Sequence, residues 1–262
     1  LSEKEIFDLV GSLADGMYKI TKWEEKEDTE EEMSEEMVEK FTAVMSIREF
    51  AEQELGLPVG GNYSTYVDLE REHVVWNVFA APSLSLTPTQ WCFPVAGCVS
   101  YRGYFDERDA QAFAAKQRER GLDVYVGGVA AYSTLGWFDD PVFSPWLELD
   151  EYRLAALLFH ELAHRRFYLK GDTQFNESYA SAVEQLAVYQ WLQDSDQMDR
   201  FARYQADQLG RDAFISWLLG HRRALARLYD SDASEEQKLQ AKEAYWAIMR
   251  DDFSRFAAAT EG

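Results

Sequence analysis

The spacing of hydrophobic residues along the chain changes twice, which divides the sequence into three parts. Residues 4–54 show mainly helical spacing, and within them residues 24–39 combine an acidic face with an apolar stripe. The middle part contains runs that are typical of β-strands. These runs are residues 73–79, 91–105 and 122–129. The pattern predicts an N-terminal helical arm followed by a small sheet.

The remainder of the chain has helical spacing almost throughout. A helix is predicted between the last two strand runs, beginning at Asp106 and ended by Gly121. Further helices are predicted at residues 150–168, 174–193, 196–209, 211–229 and 234–259. The predicted fold class is therefore α+β, with a helical C-terminal bundle. We divide the chain into an arm, a core and a C-terminal helical region that belong to one compact unit. These are residues 1–56, 57–195 and 196–262.

Composition excludes several classes of partner. The chain has 262 residues, of which 47% are hydrophobic, so it can bury a substantial core. Its 47 acidic and 26 basic residues give a formal net charge of -21, which repels phosphate and excludes nucleic acid as a partner. No run reaches the roughly 18 apolar residues of a membrane span. Cys92 and Cys98 are compatible either with a disulfide that closes a short loop or with two buried thiols.

The segment HELAH contains the residues most typical of a catalytic site. His160 and His164 are four residues apart on a predicted helix, so both imidazoles project from one face and can bind one metal ion. Glu161 occupies the position of a base that takes a proton from the water activated by the metal. Glu177, in the first turn of the next predicted helix, completes a His-His-Glu set. Three protein ligands and one open position are typical of catalytic zinc.

These motifs resemble those of known metallopeptidases. HELAH followed by NESYAS is similar to the paired motifs of the gluzincins, such as thermolysin and the neutral aminopeptidases, in which NExxA supplies the third ligand. Over about residues 45–195, the chain resembles a bacterial family of zinc aminopeptidases. The resemblance also rests on the segments WNVFAAP, WCFPVAGCVSYRGYF, DVYVGGVAAYSTLGWFDDP and KGDTQFNESYA. It implies a zincin-like catalytic core and a zinc-dependent peptidase that acts on peptides.

The resemblance further implies an exported protein in the periplasm or at the outer envelope. Such proteins commonly carry a lipid anchor near the N-terminus, and an anchor upstream of this chain is the corresponding expectation. The sequence contains no lipobox cysteine.

The identity of the third ligand has one alternative. The stretch between His164 and Glu177 is shorter than in thermolysin-like enzymes, and Glu184 lies two turns beyond Glu177 on the same helical face. Glu177 is the preferred ligand because it occupies the NExxA position. Glu184 is then expected to contact a ligand histidine or the substrate. Other candidates for contact with the ligand histidines are Asp172, Asn176 and Ser181, although Asp172 equally fits a turn and Asn176 equally fits a helix N-cap.

The resemblance to the gluzincins also implies a hydrogen-bond donor for the oxyanion of the tetrahedral intermediate, commonly a tyrosine or histidine. Tyr132 is the first choice, because the resemblance places the segment GGVAAYST at a strand edge that would pair with an extended peptide. Tyr179 and His221 are the alternatives.

Aminopeptidase specificity needs a carboxylate for the substrate ammonium group. The neutral aminopeptidases carry this carboxylate as a glutamate in the segment that corresponds to GGVAAY. That segment contains no glutamate here, so the candidates are Glu184 or the pair Asp139 and Asp140. An endopeptidase or oligopeptidase is therefore an alternative. A second alternative is a non-catalytic, zinc-stabilised binding or envelope-assembly module, against which Glu161 argues.

Overall fold

The predicted strands and helices combine into an α+β fold in a computed structural model, which describes residues 21–22, 35–69, 71–93, 97–129, 139–169 and 171–260. The helices are α1 (Glu35–Gln53), α2 (Glu107–Glu119), α3 (Glu151–Arg166), α4 (Thr173–Asp194), α5 (Met198–Tyr229) and α6 (Glu235–Thr260). The strands are β1 (Thr21–Lys22), β2 (Thr65–Val67), β3 (Val75–Pro82), β4 (Trp91–Phe93), β5 (Gly97–Val99), β6 (Arg102–Tyr104), β7 (Leu122–Val129) and β8 (Val142–Phe143). A 3-10 helix follows β8 at Ser144–Glu148.

The chain forms two compact units that alternate along the sequence. The first unit comprises residues 1–75 and 128–204, and the second comprises residues 76–127 and 205–262. The predicted division into arm, core and C-terminal region concerns consecutive segments of the chain and stays a prediction. No helix in the described ranges is long and apolar enough to cross a membrane.

Helix α3 is the centre of the first unit. Its sequence is apolar around most of its circumference, which is the pattern of a helix surrounded by other elements. Leu154, Leu158 and Leu162 are completely buried, and α3 packs mainly against α4 and α1. Burying each leucine contributes roughly 1.5–3 kcal/mol. The histidines of the HELAH segment therefore lie on a rigid element.

A buried asparagine joins three parts of the first unit. The side-chain oxygen of Asn62 accepts hydrogen bonds from the backbone N–H of Asp140 at 2.9 Å and from Nη1 of Arg165 at 2.7 Å. Its Nδ2 donates to the carbonyl of Val59 at 2.6 Å. Strand β2 pairs in parallel with β8 and antiparallel with β1. The turn after α1, the approach to β8 and the end of α3 are thus connected by one side chain.

The second unit contains the β6–β3–β7 sheet, the β4–β5 hairpin, α2, most of α5 and α6. Val78 of β3 and Ala110 and Ala114 of α2 form its completely buried cluster. In the hairpin, Cys92 and Cys98 lie opposite each other and form a disulfide. The choice that the sequence left open between a disulfide and two thiols is therefore decided for the disulfide.

Most predicted helices are confirmed, including α2. Asp106 caps it by accepting a hydrogen bond from the backbone N–H of Arg108 at 2.7 Å, and Gly121 follows its end with a φ of +77°. The predicted boundary between residues 196–209 and 211–229 is wrong, because α5 continues through Gly210. A glycine inside a helix costs about 1 kcal/mol relative to alanine, which the adjoining turns of a long helix can offset.

The N-terminal helical arm is confirmed only in part. Helix α1 occupies Glu35–Gln53, whereas Thr21–Lys22 form a strand that pairs with β2 instead of continuing a helix. Pairing with β2 satisfies their backbone groups, which a local helical pattern does not take into account. The other residues of the predicted arm before position 35 lie outside the described residues.

Candidate metal centre

Two histidines on α3 face the same side. His160 and His164 are separated by one helical turn, and their rings meet edge to face with centroids 4.9 Å apart. The His164 side chain is 8% exposed and that of His160 is 19% exposed. The predicted i, i+4 arrangement is therefore present on a helix that the core holds in place.

Glu177 of α4 reaches both histidines. Its Oε2 lies 3.4 Å from Nε2 of His160, and its Oε1 lies 3.7 Å from Nε2 of His164. One ligand atom from each of the three residues lies within 4.8 Å of the others. Ligands about 2.1 Å from a tetrahedral zinc ion are roughly 3.4 Å apart, so the spacing fits a single ion. His160, His164 and Glu177 can hold a metal ion.

Glu184 lies behind His160, not beside Glu177. Its Oε2 is 3.0 Å from Nδ1 of His160, and its Oε1 accepts a hydrogen bond from the hydroxyl of Tyr204 at 3.0 Å. An imidazole that donates from Nδ1 has its lone pair on Nε2, which is the atom directed at Glu177. In this arrangement Glu184 contacts a candidate ligand, which is one of the two roles expected for it, and Nε2 of His160 is oriented for metal binding.

The second histidine has a less complete environment. Among the described residues, Nδ1 of His164 is buried and has no hydrogen-bond partner. Burial lowers the pKa of His164; the neighbouring Glu177 opposes this effect and His160 adds to it. A lowered pKa favours the neutral imidazole, which is the form that binds metals.

Carboxylates surround His160 and Glu161. Burial by itself lowers the pKa of His160, but the hydrogen bond to Glu184 and the charges of Glu161, Glu184 and Glu177 outweigh it, so the pKa is raised. Burial raises the pKa of Glu161 to about 7, with Glu177 and Asp140 acting in the same direction and His160 opposing. A concentration of carboxylates around two imidazoles is an electrostatic environment that favours a bound cation.

The segment that precedes Glu177 holds the start of α4 in position. The Asp172 side chain accepts a hydrogen bond from the backbone N–H of Phe175 at 3.0 Å, so Asp172 is the N-cap. Asn176 lies inside the helix with 1% exposure, and its side chain bonds both backbone groups of Leu169, at 2.7 Å and 2.9 Å. The interpretation of Asn176 as an N-cap is wrong. Helix α4 begins at Thr173, one turn before the start that an N-cap at position 176 would give.

The other residues weighed from the sequence have different surroundings. Within the described ranges, Ser181 makes no hydrogen bond to either histidine. Tyr179 packs against Phe167, with ring centroids 5.8 Å apart. His221 belongs to the second unit, where Tyr245 and Asp252 contact its two ring nitrogens at 2.8 Å and 3.0 Å. Tyr132 lies outside the described residues.

Sequence reasoning missed Tyr204, Asn62 and Arg165. Tyr204 is 3% exposed and belongs to α5, and no motif or spacing relates it to Glu184. Asn62 and Arg165 are 103 positions apart, so only the fold brings them together.

A comparison with protein families places this site in a known group. The family model described as "Putative aminopeptidase" matches residues 15–262, which includes the whole candidate metal centre. No curated protein matches the chain, and no solved structure does. The description of the family implies a hydrolase that acts on peptides. Since the match covers nearly the whole length, the chain belongs to the family described as "Putative aminopeptidase".

Proposed function

We propose that the chain is a zinc-dependent aminopeptidase of the gluzincin type, in which His160, His164 and Glu177 bind one zinc ion. The observation that supports this most strongly is the convergence of the three ligand atoms within 4.8 Å, from two motifs on different helices. A His-His-carboxylate set suits zinc better than magnesium or calcium, which prefer oxygen ligands. Three protein ligands leave one position for the reaction.

The site is open on the side of Glu177. Its side chain is 58% exposed, whereas His160 and His164 are largely buried behind it. A closed structural zinc site has four protein ligands, and among the described residues the convergent group has three. This arrangement supports a catalytic over a structural role. A zincin-like catalytic core remains a proposal that rests on the resemblance of the two motifs.

Glu161 is the proposed general base. It directly follows His160 on α3, and it is close enough to His160 and Glu177 for their charges to change its pKa. When bound, a zinc ion supplies a Lewis acid that acidifies water and polarises the carbonyl of a peptide bond. Glu161 accepts the proton of the attacking water and then delivers it to the nitrogen of the leaving amine. Tyr132 remains the proposed donor to the oxyanion, on the resemblance alone.

The decisive experiment compares three proteins. We expect the purified chain to retain about one zinc ion after dialysis against a weak chelator, measured by elemental analysis. His164→Ala should lose the metal, because two ligands do not hold it against a chelator. Glu161→Gln should retain the metal and lose peptide cleavage by about 10²-fold or more, since the general base is removed. Zinc-free protein under these conditions would refute the proposal, and full cleavage by Glu161→Gln would refute the role of the base.

Selectivity for free N-termini needs an accessible carboxylate. Glu184 and Asp140 are 5% and 2% exposed, so neither is placed to receive a substrate ammonium group. Asp139 is exposed and is the remaining candidate of the three. Pairs of peptides that differ only in N-acetylation separate the two activities: an aminopeptidase cleaves only the free member, whereas equal cleavage of both would assign an endopeptidase.

We also propose that the protein acts in an oxidising compartment such as the periplasm. The disulfide between Cys92 and Cys98 supports this location, because such bonds are rare in reducing cytosol. Cell fractionation with thiol labelling is the test. Recovery of the protein in the cytosolic fraction with both cysteines reduced would contradict it.

A further inference from the structure

The carboxylate behind His160 is held from two sides. Glu184 is 5% exposed, its Oε2 lies 3.0 Å from Nδ1 of His160, and its Oε1 accepts from the hydroxyl of Tyr204 at 3.0 Å. Burying a carboxylate is costly unless donors satisfy it. A connected series of contacts thus runs from Tyr204 through Glu184 to a candidate metal ligand.

We propose that Tyr204 is a positioning residue of the metal centre. Its hydroxyl holds one oxygen of Glu184, so that the other oxygen accepts from Nδ1 of His160 and leaves Nε2 to bind the metal. This inference rests on the proposed zinc site. The contact with Tyr204 restricts rotation of the Glu184 carboxylate about its terminal bond, a torsion that has no strong intrinsic preference.

The start of α5 also contacts α3, the helix that carries both ligand histidines. Arg200, one turn before Tyr204, forms an ion pair with Glu151 in the first turn of α3 at 2.8 Å. Tyr204 itself is 3% exposed, and its ring lies 6.0 Å from that of Phe201. The first turns of α5 therefore contact both helices that supply metal ligands. Metal affinity is expected to depend on a helix that contains none of the ligands.

The test is the zinc affinity of Tyr204→Phe, which removes one oxygen and retains the buried ring. Competition with a chromogenic chelator gives the Kd of zinc for each protein. We expect binding about tenfold weaker, at the lower end of the range for residues that support metal ligands. Tyr189→Phe is the matched control, because Tyr189 is 42% exposed and contacts Phe201 through its ring; its Kd should stay unchanged.

An unchanged Kd in Tyr204→Phe, beside a wild type that binds zinc, overturns the inference and leaves the zinc site intact. A wild type that binds no zinc refutes the proposed function, and the inference with it. The two failures are therefore distinguishable.

A second measurement reports the hydrogen bonding of His160 directly. Nitrogen-15 NMR of the metal-free wild type at alkaline pH reports the tautomer of the His160 ring. The inference expects the Nδ1–H tautomer, and a mixture of tautomers in Tyr204→Phe. A general loss of packing would not select one tautomer. Finding the Nε2–H tautomer in the wild type overturns the proposal.

Discussion

Replacing Asn176 by alanine tests how the chain places Glu177 beside the two histidines. Asn176 is 1% exposed, and its side chain makes two hydrogen bonds to the backbone of Leu169, at 2.7 Å and 2.9 Å. Each such bond contributes roughly 1 kcal/mol, and leaving a buried partner unsatisfied costs more. Because the Leu169 side chain is 45% exposed, water can reach part of this turn, so we use the lower value for each bond.

The expected loss for Asn176→Ala is about 2 kcal/mol of unfolding free energy, or roughly 4–8 °C in Tm for a chain of this size. The measurement is urea unfolding followed by circular dichroism, together with a thermal scan. Zinc affinity should fall in parallel, because the turn that orients Glu177 is loosened. Asn176→Asp retains the acceptor for the N–H of Leu169 but turns a second carboxylate oxygen towards the Leu169 carbonyl in a buried position, so its loss of stability should be at least as large.

Gln174→Ala is the matched control, since Gln174 is exposed in the same first turn and its side chain should contribute little. Equal stability of Asn176→Ala and Gln174→Ala would refute the reasoning. Reduced stability with unchanged zinc affinity would separate the two effects and show that Glu177 is placed by other contacts.

Three further outcomes follow from the structure. Lys242→Met should lower the free energy of unfolding in urea by about 1–3 kcal/mol, because buried Lys242 donates to the carbonyl of Ser83 at 2.7 Å and pairs with Asp123. The 51% exposure of the Asp123 side chain keeps the cost below that of a fully buried pair. An unchanged free energy of unfolding would contradict this prediction. Gly128→Ala should destabilise the fold by roughly 1–3 kcal/mol and lower its Tm, because a Cβ there would overlap the ring of His73. A Tm equal to that of the wild type would mean that the His73 ring can move away. Zinc at 100 times its Kd should stabilise the wild type by about 2.7 kcal/mol and should not stabilise His164→Ala, as measured by calorimetry. An equal rise in Tm for both proteins would mean that the metal binds elsewhere.

Several structural features could be predicted because they depend on neighbouring positions alone. The i, i+4 spacing of His160 and His164 sets both rings on one face of any helix that contains them, whatever surrounds it. Asp106 and Gly121 mark the two ends of α2 through local backbone chemistry. The same holds for the strand runs of the second unit, whose composition favours extended backbone.

Other features were misjudged where local signals competed. Gly210 suggested a helix end, yet α5 continues through it, because the cost of one glycine is small beside the adjoining helical turns. Asp172 and Asn176 are both good cap residues, and only the structure shows that Asp172 caps α4 while Asn176 bonds Leu169. In both cases the propensity of the single residue was a weak preference, and its neighbours along the chain decided the outcome.

The sequence by itself determined the candidate ligands and the candidate base, since HELAH and NESYAS specify residue types at spacings that a helix converts directly into geometry. Only the tertiary structure decided which atoms meet. It brings Glu177 to the Nε2 side of His160 and His164, and Glu184 to the Nδ1 side of His160, although both glutamates are on α4. It also brings Tyr204 of α5 against Glu184. Side-chain contacts between helices depend on how the helices pack, and that packing is a property of the whole core, which no local pattern encodes.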